Sequence, residues 1–151
     1  IPFFKKTINQ KKFFPITHKN MTRFFIKVND GVKFVVKSFS RMLGGEIFVP
    51  KVDSIKIIDI AKAISSNAKI KIVGIRPGEK MHEVLCPLDE AHLTLEFKDH
   101  YVIKPSIGLE IKNNYQVNAI KEKGKKVSES FEYSSNINKF LSIKKIKKII
   151  N

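Results

Sequence analysis

The chain has 151 residues, with 29 lysines and arginines against 14 aspartates and glutamates, a formal net charge of +15. Arg23, Arg41 and Arg76 are its only arginines, so the basicity is lysine scattered among Ile and Asn, a compositional bias rather than the arginine fork that specific phosphate or base recognition favours. The single cysteine, Cys86, excludes an internal disulfide and a cysteine-rich zinc site, and no apolar run approaches the roughly 20 residues of a membrane span.

In chain order, "IPFFKKTINQKK" reads as a helix already under way, with Pro2 in its first turn and Phe3, Phe4 and Ile8 on one side. Together with Ile1 in place of Met, it suggests a piece of a longer protein. "FFPITHKNMTRFFIKV" predicts a strand pair around a polar turn at His18 to Asn20. Asn29 or Asp30 can cap a helix with Val32, Val35, Val36 and Phe39 as its apolar stripe, stopped by Gly44 and Gly45. "EIFVP" predicts a short buried strand. Ser54 is placed to cap the next helix, whose inner face is Ile57, Ile60, Ala61 and Ile64, with Asp59 able to pair with Lys62. "KIKIVGI" alternates as a strand with one wet face does. Strand and helix thus alternate to about residue 85, the pattern of an α/β fold. Beyond it, "HYVIKP" and "IGLEI" predict strands, and "YQVNAIKEKGKK" predicts a short helix ended by Gly124. "SIKKIKKIIN" predicts a terminal helix docked on the body through Ile143, Ile146, Ile149 and Ile150.

No glycine-rich turn joins a strand to a helix as a dinucleotide site requires. Tyr101, Tyr115 and Tyr133 are followed four residues later by Pro105, Ala119 and Ile137, so the Tyr-x-x-x-Lys pair of short-chain dehydrogenases is missing. No HExxH, nucleophile elbow or P-loop occurs, and His18, His82, His92 and His100 have no metal-ligand spacing. The sequence therefore offers no catalytic residue and no metal site of its own.

"RPGEKMHEVL" remains. After a strand, Pro77 and Gly78 force a turn, and Glu79 onward has the composition of a helix start. Such a turn in an α/β protein lies at the edge where ligands bind. There Arg76 could grip a pyrophosphate and Glu79 accept from a ribose hydroxyl, or Arg76 could simply pair with Glu79 or Glu83 as a surface bridge.

"IFVPKVDSIKIIDIAKAI", "GIRPGEKMHEVL", "DEAHLTLEFKDHYVIKPSI" and "FEYSS", with "IPFFKK" and "MTRFFIKV", resemble in order the C-terminal part of the inverting UDP-N-acetylglucosamine 4,6-dehydratases. These are extended short-chain dehydrogenase/reductases of polysaccharide and pseudaminic acid biosynthesis. The resemblance implies that residues 1–151 are the nucleotide-sugar-binding part of a Rossmann-type α/β reductase. The NADP-binding core, with its glycine motif and catalytic Tyr and Lys, would lie upstream, and this chain alone would be inactive. It further implies UDP-N-acetylglucosamine as substrate and the missing half and further copies of the enzyme as partners; no nucleic acid and no membrane are expected, and the single cysteine with no membrane span or signal-peptide pattern suggests a cytoplasmic location. In the reaction implied, NADP⁺ takes hydride from C4 of the sugar, water leaves across C5 and C6, and hydride returns to C6 with inversion at C5.

By the same resemblance Arg76 matches the arginine that contacts the UDP phosphates, Glu79 the acidic residue near the ribose, and Arg23 of "MTRF" the other phosphate-side arginine. Pro2, Phe3 and Lys6 fall in the segment that lines the nucleotide, while His82 and Glu83 are expected in packing or subunit contacts. Two of the three arginines lie in these motifs, where lysine could not replace a planar fork. A related UDP-sugar epimerase, a retaining dehydratase, a basic anion-binding module or an inactive remnant are the alternatives.

Overall fold

A computed structural model describes residues 2, 4, 6, 13–67, 69–106 and 113–150. They divide into two units whose segments alternate along the sequence, residues 1–25, 53–83 and 135–151 in the first and 26–52 and 84–134 in the second. Pro2, Phe4 and Lys6 have helical backbone, as expected. Phe3 and the "IGLEI" stretch lie outside the described residues.

In the first unit, strand β1 (Phe13–Ile16) pairs in parallel with β5 (Lys69–Ile72), Phe14 opposite Ile70. The period of two along β1 buries Phe14 and Ile16 beneath helix α2 (Ile57–Ile64), where Ala61, Ile57 and Ile64 meet them with Phe4. The other side of α2 buries Ile60 and Ala63 against Ile146 and Ile150 of α3 (Ile143–Ile150), so the terminal helix docks on the body as its pattern predicts. Strand β2 (Thr22–Phe24) runs antiparallel to β4 (Ser54–Lys56).

The expected pairing of β1 with β2 does not form. The turn is present, with Met21 N–H donating to His18 O at 3.2 Å, but each strand bonds to a partner far along the chain. Ser54 is likewise a strand residue and not a cap: α2 begins after Lys56 with no side-chain cap, while Ser54 exchanges backbone bonds with Lys139 and Leu141 at 2.8 Å. The helix expected after Pro77-Gly78 is also absent. Residues 79–83 are irregular and lead into β6 (Val84–Cys86), because the backbone of Met81 and Glu83 is bonded to Thr22 and Ser135 and is not available to an i→i−4 ladder.

The second unit is built on an antiparallel sheet in the order β3 (Ile47–Pro50), β8 (His100–Ile103), β7 (Thr94–Glu96), β9 (Lys125–Lys126). All of β8 is buried, and Leu95, Phe97, Val102 and Tyr115 form the adjoining core. Between β6 and β7 lies a short 3-10 helix (Leu88–Leu93), and β6 pairs with β10 (Tyr133–Ser134).

Helix α1 (Val28–Arg41) turns a different face inward from the one its apolar stripe suggests. Gly31, Phe34, Ser38 and Arg41 are its covered residues, whereas Val32, Val36 and Phe39 are more than half exposed. The covered face carries the helix's buried cation. Arg41 is buried to 1% exposure and forms ion pairs at 2.8 Å with Asp99 and Glu122, which anchors the helix by its polar side. Nor does residues 115–126 form a helix: Asn118 accepts Glu122 N–H through Oδ1 at 2.9 Å, Lys121 takes a φ of +66°, and the chain reverses into β9.

Candidate functional site

The "RPGE" turn follows from local chemistry. Pro77 at the second position, Gly78 at the third with φ +77°, and the Glu79 N–H to Arg76 O bond of 3.0 Å are the marks of a type II turn. Glu79 closes it from outside. One carboxylate oxygen accepts the Arg76 backbone N–H at 3.2 Å and the other accepts the Thr17 hydroxyl at 3.3 Å. Val73 N–H donates to Ile16 O at 2.9 Å and fixes where the turn leaves the β1–β5 pair.

This turn and β2 together border a cleft of about 200 Å³ in the first unit, lined among others by Phe4, Met21, Arg23, Ile57, Arg76 and Glu79. Three of the sequence-derived site residues, Arg23, Arg76 and Glu79, are thus brought to one place. Pro2 and Lys6 are exposed and do not line it; from their segment it is Phe4 that does, packed edge-on against Phe14 at 5.5 Å.

The two arginines are held differently. Arg76 is exposed, and among the described residues its guanidinium has no ion-pair partner, so the surface-bridge alternative is not what forms. Arg23 is half-buried and largely committed: Nη1 donates to Thr22 O at 2.7 Å and Met81 O at 3.2 Å, and Nε lies 3.3 Å from Glu83 Oε1. Among the described residues its Nη2 has no bond, while Nη1 and Nε hold the plane of the guanidinium.

Sequence reasoning did not single out Thr22 and Ser135, two buried hydroxyls behind Arg23. Thr22 Oγ1 lies 2.7 Å from both Ser135 Oγ and His82 Nδ1, and Glu83 N–H donates to Ser135 Oγ at 2.9 Å. The only signal for them lay in the quoted "MTRF" and "FEYSS" stretches.

The third arginine belongs to the second unit and to its stability. Burial works against the charge of Asp99, yet hydrogen bonds with His100, Lys37 and Arg41 hold its carboxyl well below the usual range. The hydrogen bond from Arg41 likewise lowers Glu122, against the opposing effect of burial. His100, fully buried and stacked on Phe97 at 4.6 Å, is pushed down by burial, an effect only partly offset by its bond to Asp99. Burial pushes the Cys86 thiol up to about 12. Among the described residues no group of three His, Cys, Asp or Glu side chains could hold a metal, and no helix is long and apolar enough to cross a membrane.

Residues 1–105 match the family described as "Polysaccharide biosynthesis protein". The chain belongs to this family. As a polysaccharide biosynthesis family member it is 51% identical, over all of its own length and 46% of the relative's, to the UDP-N-acetylglucosamine 4,6-dehydratase (inverting) of Campylobacter jejuni serotype O:2. It is 33% identical to the UDP-glucose 4-epimerase of Rickettsia conorii, over 99% of this chain and 44% of that one. The X-ray structure of Pen from Bacillus thuringiensis superposes with a TM-score of 0.78 at 25% identity, again over 99% of this chain and 44% of the other, which agrees with the α/β fold. The family member described here therefore spans about half the length of the curated relatives it matches.

Proposed function

We propose that this chain is the UDP-sugar-binding part of an inverting UDP-N-acetylglucosamine 4,6-dehydratase, in which residues 1–151 supply the nucleotide-sugar site. The observation that carries the reading is the meeting of Arg23 and Arg76 on one cleft, each with guanidinium N–H groups that no described residue takes up. Two forks on one small cavity suit the adjacent phosphates of a UDP group, and Phe4 adds an apolar wall. Each Glu79 oxygen accepts one bond, from Thr17 or from the Arg76 backbone, and has a second lone pair, so the carboxylate keeps acceptor capacity for a ribose hydroxyl. From the first segment it is Phe4, and not Pro2 or Lys6, that stands at this cleft.

The cofactor NADP, the catalytic Tyr and Lys, and the assembly of copies of the enzyme belong, in this reading, to the length of the relatives that the chain does not span. Among the described residues no glycine turn joins a strand to a helix as a dinucleotide requires: the positive-φ glycines Gly74 and Gly78 sit in a turn that leads to a strand, and Gly44 and Gly45 lead from a helix into one. A cytoplasmic location and a product used in pseudaminic acid or other polysaccharide synthesis complete the proposal. The 51% identity to the dehydratase against 33% to the epimerase favours the former.

The test is calorimetric titration of UDP and UDP-N-acetylglucosamine into the chain and into Arg76→Ala. Loss of a charged hydrogen bond at an exposed position should weaken binding by about 1.5 kcal/mol, roughly tenfold. Unchanged affinity in the variant, or equal binding of unrelated polyanions, would remove the reading.

A further inference from the structure

Behind the cleft, a three-residue segment is bonded from two sides. Thr22 N–H and Arg23 Nη1 both donate to Met81 O, at 3.1 and 3.2 Å, and Arg23 Nε pairs with Glu83 Oε1 at 3.3 Å. From the other side Ser135 N–H donates to Glu83 O at 2.8 Å and Ser135 Oγ accepts Glu83 N–H at 2.9 Å. Thr22 Oγ1 joins the two sides, 2.7 Å from Ser135 Oγ and 2.7 Å from His82 Nδ1.

The protons in this chain have a direction, and the backbone sets it. Glu83 N–H can only donate, so Ser135 Oγ is an acceptor there. Ser135 is fully buried, and the acceptor within reach of its own proton among the described residues is Thr22 Oγ1. Thr22 then donates its hydroxyl hydrogen bond to His82 Nδ1, which acts as the acceptor and leaves the ring N–H on Nε2. The reverse direction would strand the Ser135 proton in a site closed to water.

We infer that Thr22 and Ser135 are positioning residues whose hydroxyl chain to His82 locks the 81–83 segment, so that Arg23 presents its Nη2 arm to the cleft in a fixed plane. The inference rests on the proposed UDP site for its consequence and on the hydrogen-bond chain for its content. An arginine whose plane is set before the ligand arrives loses less freedom on binding than an unrestrained one.

Thr22→Val keeps the shape of the side chain and removes its hydroxyl; Thr22→Ser restores the hydroxyl. In the ¹⁵N-labelled chain, long-range proton–nitrogen correlation should show His82 as the Nε2–H tautomer in the wild type and in Thr22→Ser. In Thr22→Val the tautomer should lose that bias, and the Arg23 Nε–H signal should shift and exchange faster. UDP affinity should fall by roughly tenfold in Thr22→Val, the low end of what outer supporting contacts are worth at metal sites, and recover in Thr22→Ser. A Thr22→Val chain that does not fold passes the test to Ser135→Ala, which deletes only the far hydroxyl and should produce the same changes. An Nδ1–H tautomer in the wild type, or an Arg23 signal indifferent to loss of the hydroxyl, overturns the inference, as does unaltered UDP affinity in a folded variant. A wild-type chain that ignores UDP would instead sink the proposed function, and the Arg23 signal would still decide whether the hydroxyl chain positions it.

Discussion

Glycine-to-alanine substitutions at two positions of the second unit should move its stability in opposite directions. A Cβ built on Gly124 would lie 2.5, 2.6 and 2.9 Å from Cε2, Cζ and Cδ2 of Phe97, whereas comfortable carbon contacts are about 3.5–4.0 Å. The ring cannot swing aside without cost: it is 3% exposed and stacked on the His100 imidazole at an interplanar angle of 15°. The glycine backbone is held too, by its N–H bond to Gln116 O at 2.8 Å. With both partners fixed, Gly124→Ala falls in the upper half of the overpacking range, about 2–3 kcal/mol destabilising. Gly31, within α1, has only Ile26 Cδ1 near the corresponding position, at 3.8 Å, so Gly31→Ala should stabilise by about 0.5–1 kcal/mol through the helix preference alone. The chain has no tryptophan, and its three tyrosines, Tyr101, Tyr115 and Tyr133, all lie in the second unit. Tyrosine fluorescence in a urea titration therefore reports this unit without interference from the other. A Gly124→Ala midpoint at or above the wild type, or both variants moving the same way, would refute the reasoning from contact geometry.

The acid limb of the same titration should depend on His100. Its folded pKa lies below the ordinary value of 6.5 because of burial, so its contribution is fully present above that value and is lost as pH falls through 6.5 toward the folded one. Asp99 and Glu122, also depressed, act in the same sense but in the carboxylate range further down. His100→Phe, which keeps a ring between Phe48 and Phe97, should flatten the slope of midpoint against pH just below 6.5; a slope equal to that of the wild type would contradict this. Cys86, fully buried and with its thiol pushed up to about 12, should resist a thiol reagent at pH 8 until urea unfolds the second unit, and prompt labelling of the folded chain would show that the burial is wrong.

Much of the local structure was legible from periodicity. The alternation in "KIKIVGI" gives β5, the stripe of Ile57, Ile60, Ala61 and Ile64 gives the buried face of α2, and the isoleucines of α3 give its docking face. Partner choice was not legible, because it is decided by residues far apart: Thr22 meets His82 across 60 positions and Ser135 across 113. These long-range bonds, and not local preference, turn "EKMHE" away from the helix its composition favours. For α1 the apolar stripe is legible as a pattern, but the covered face is the one that carries Arg41, whose two carboxylate partners lie 58 and 81 positions further along the chain. Of the site, the resemblance names Arg23, Arg76 and Glu79, which do converge; Ser and Thr carry no periodic signature, so the hydroxyl chain behind them is set by the tertiary fold alone.

The alternation of the two units has a consequence for synthesis. The chain crosses between them at 25/26, 52/53, 83/84 and 134/135. A ribosome therefore completes the second unit, all three tyrosines included, once residue 134 has emerged. At that moment the first unit still lacks Ser135, the Lys139 and Leu141 backbone bonds to Ser54, and the α3 isoleucines that cover α2. The arginine cleft would thus mature after the second unit, and a single proteolytic cut after residue 134 would strip its supports while leaving every segment of the second unit in place.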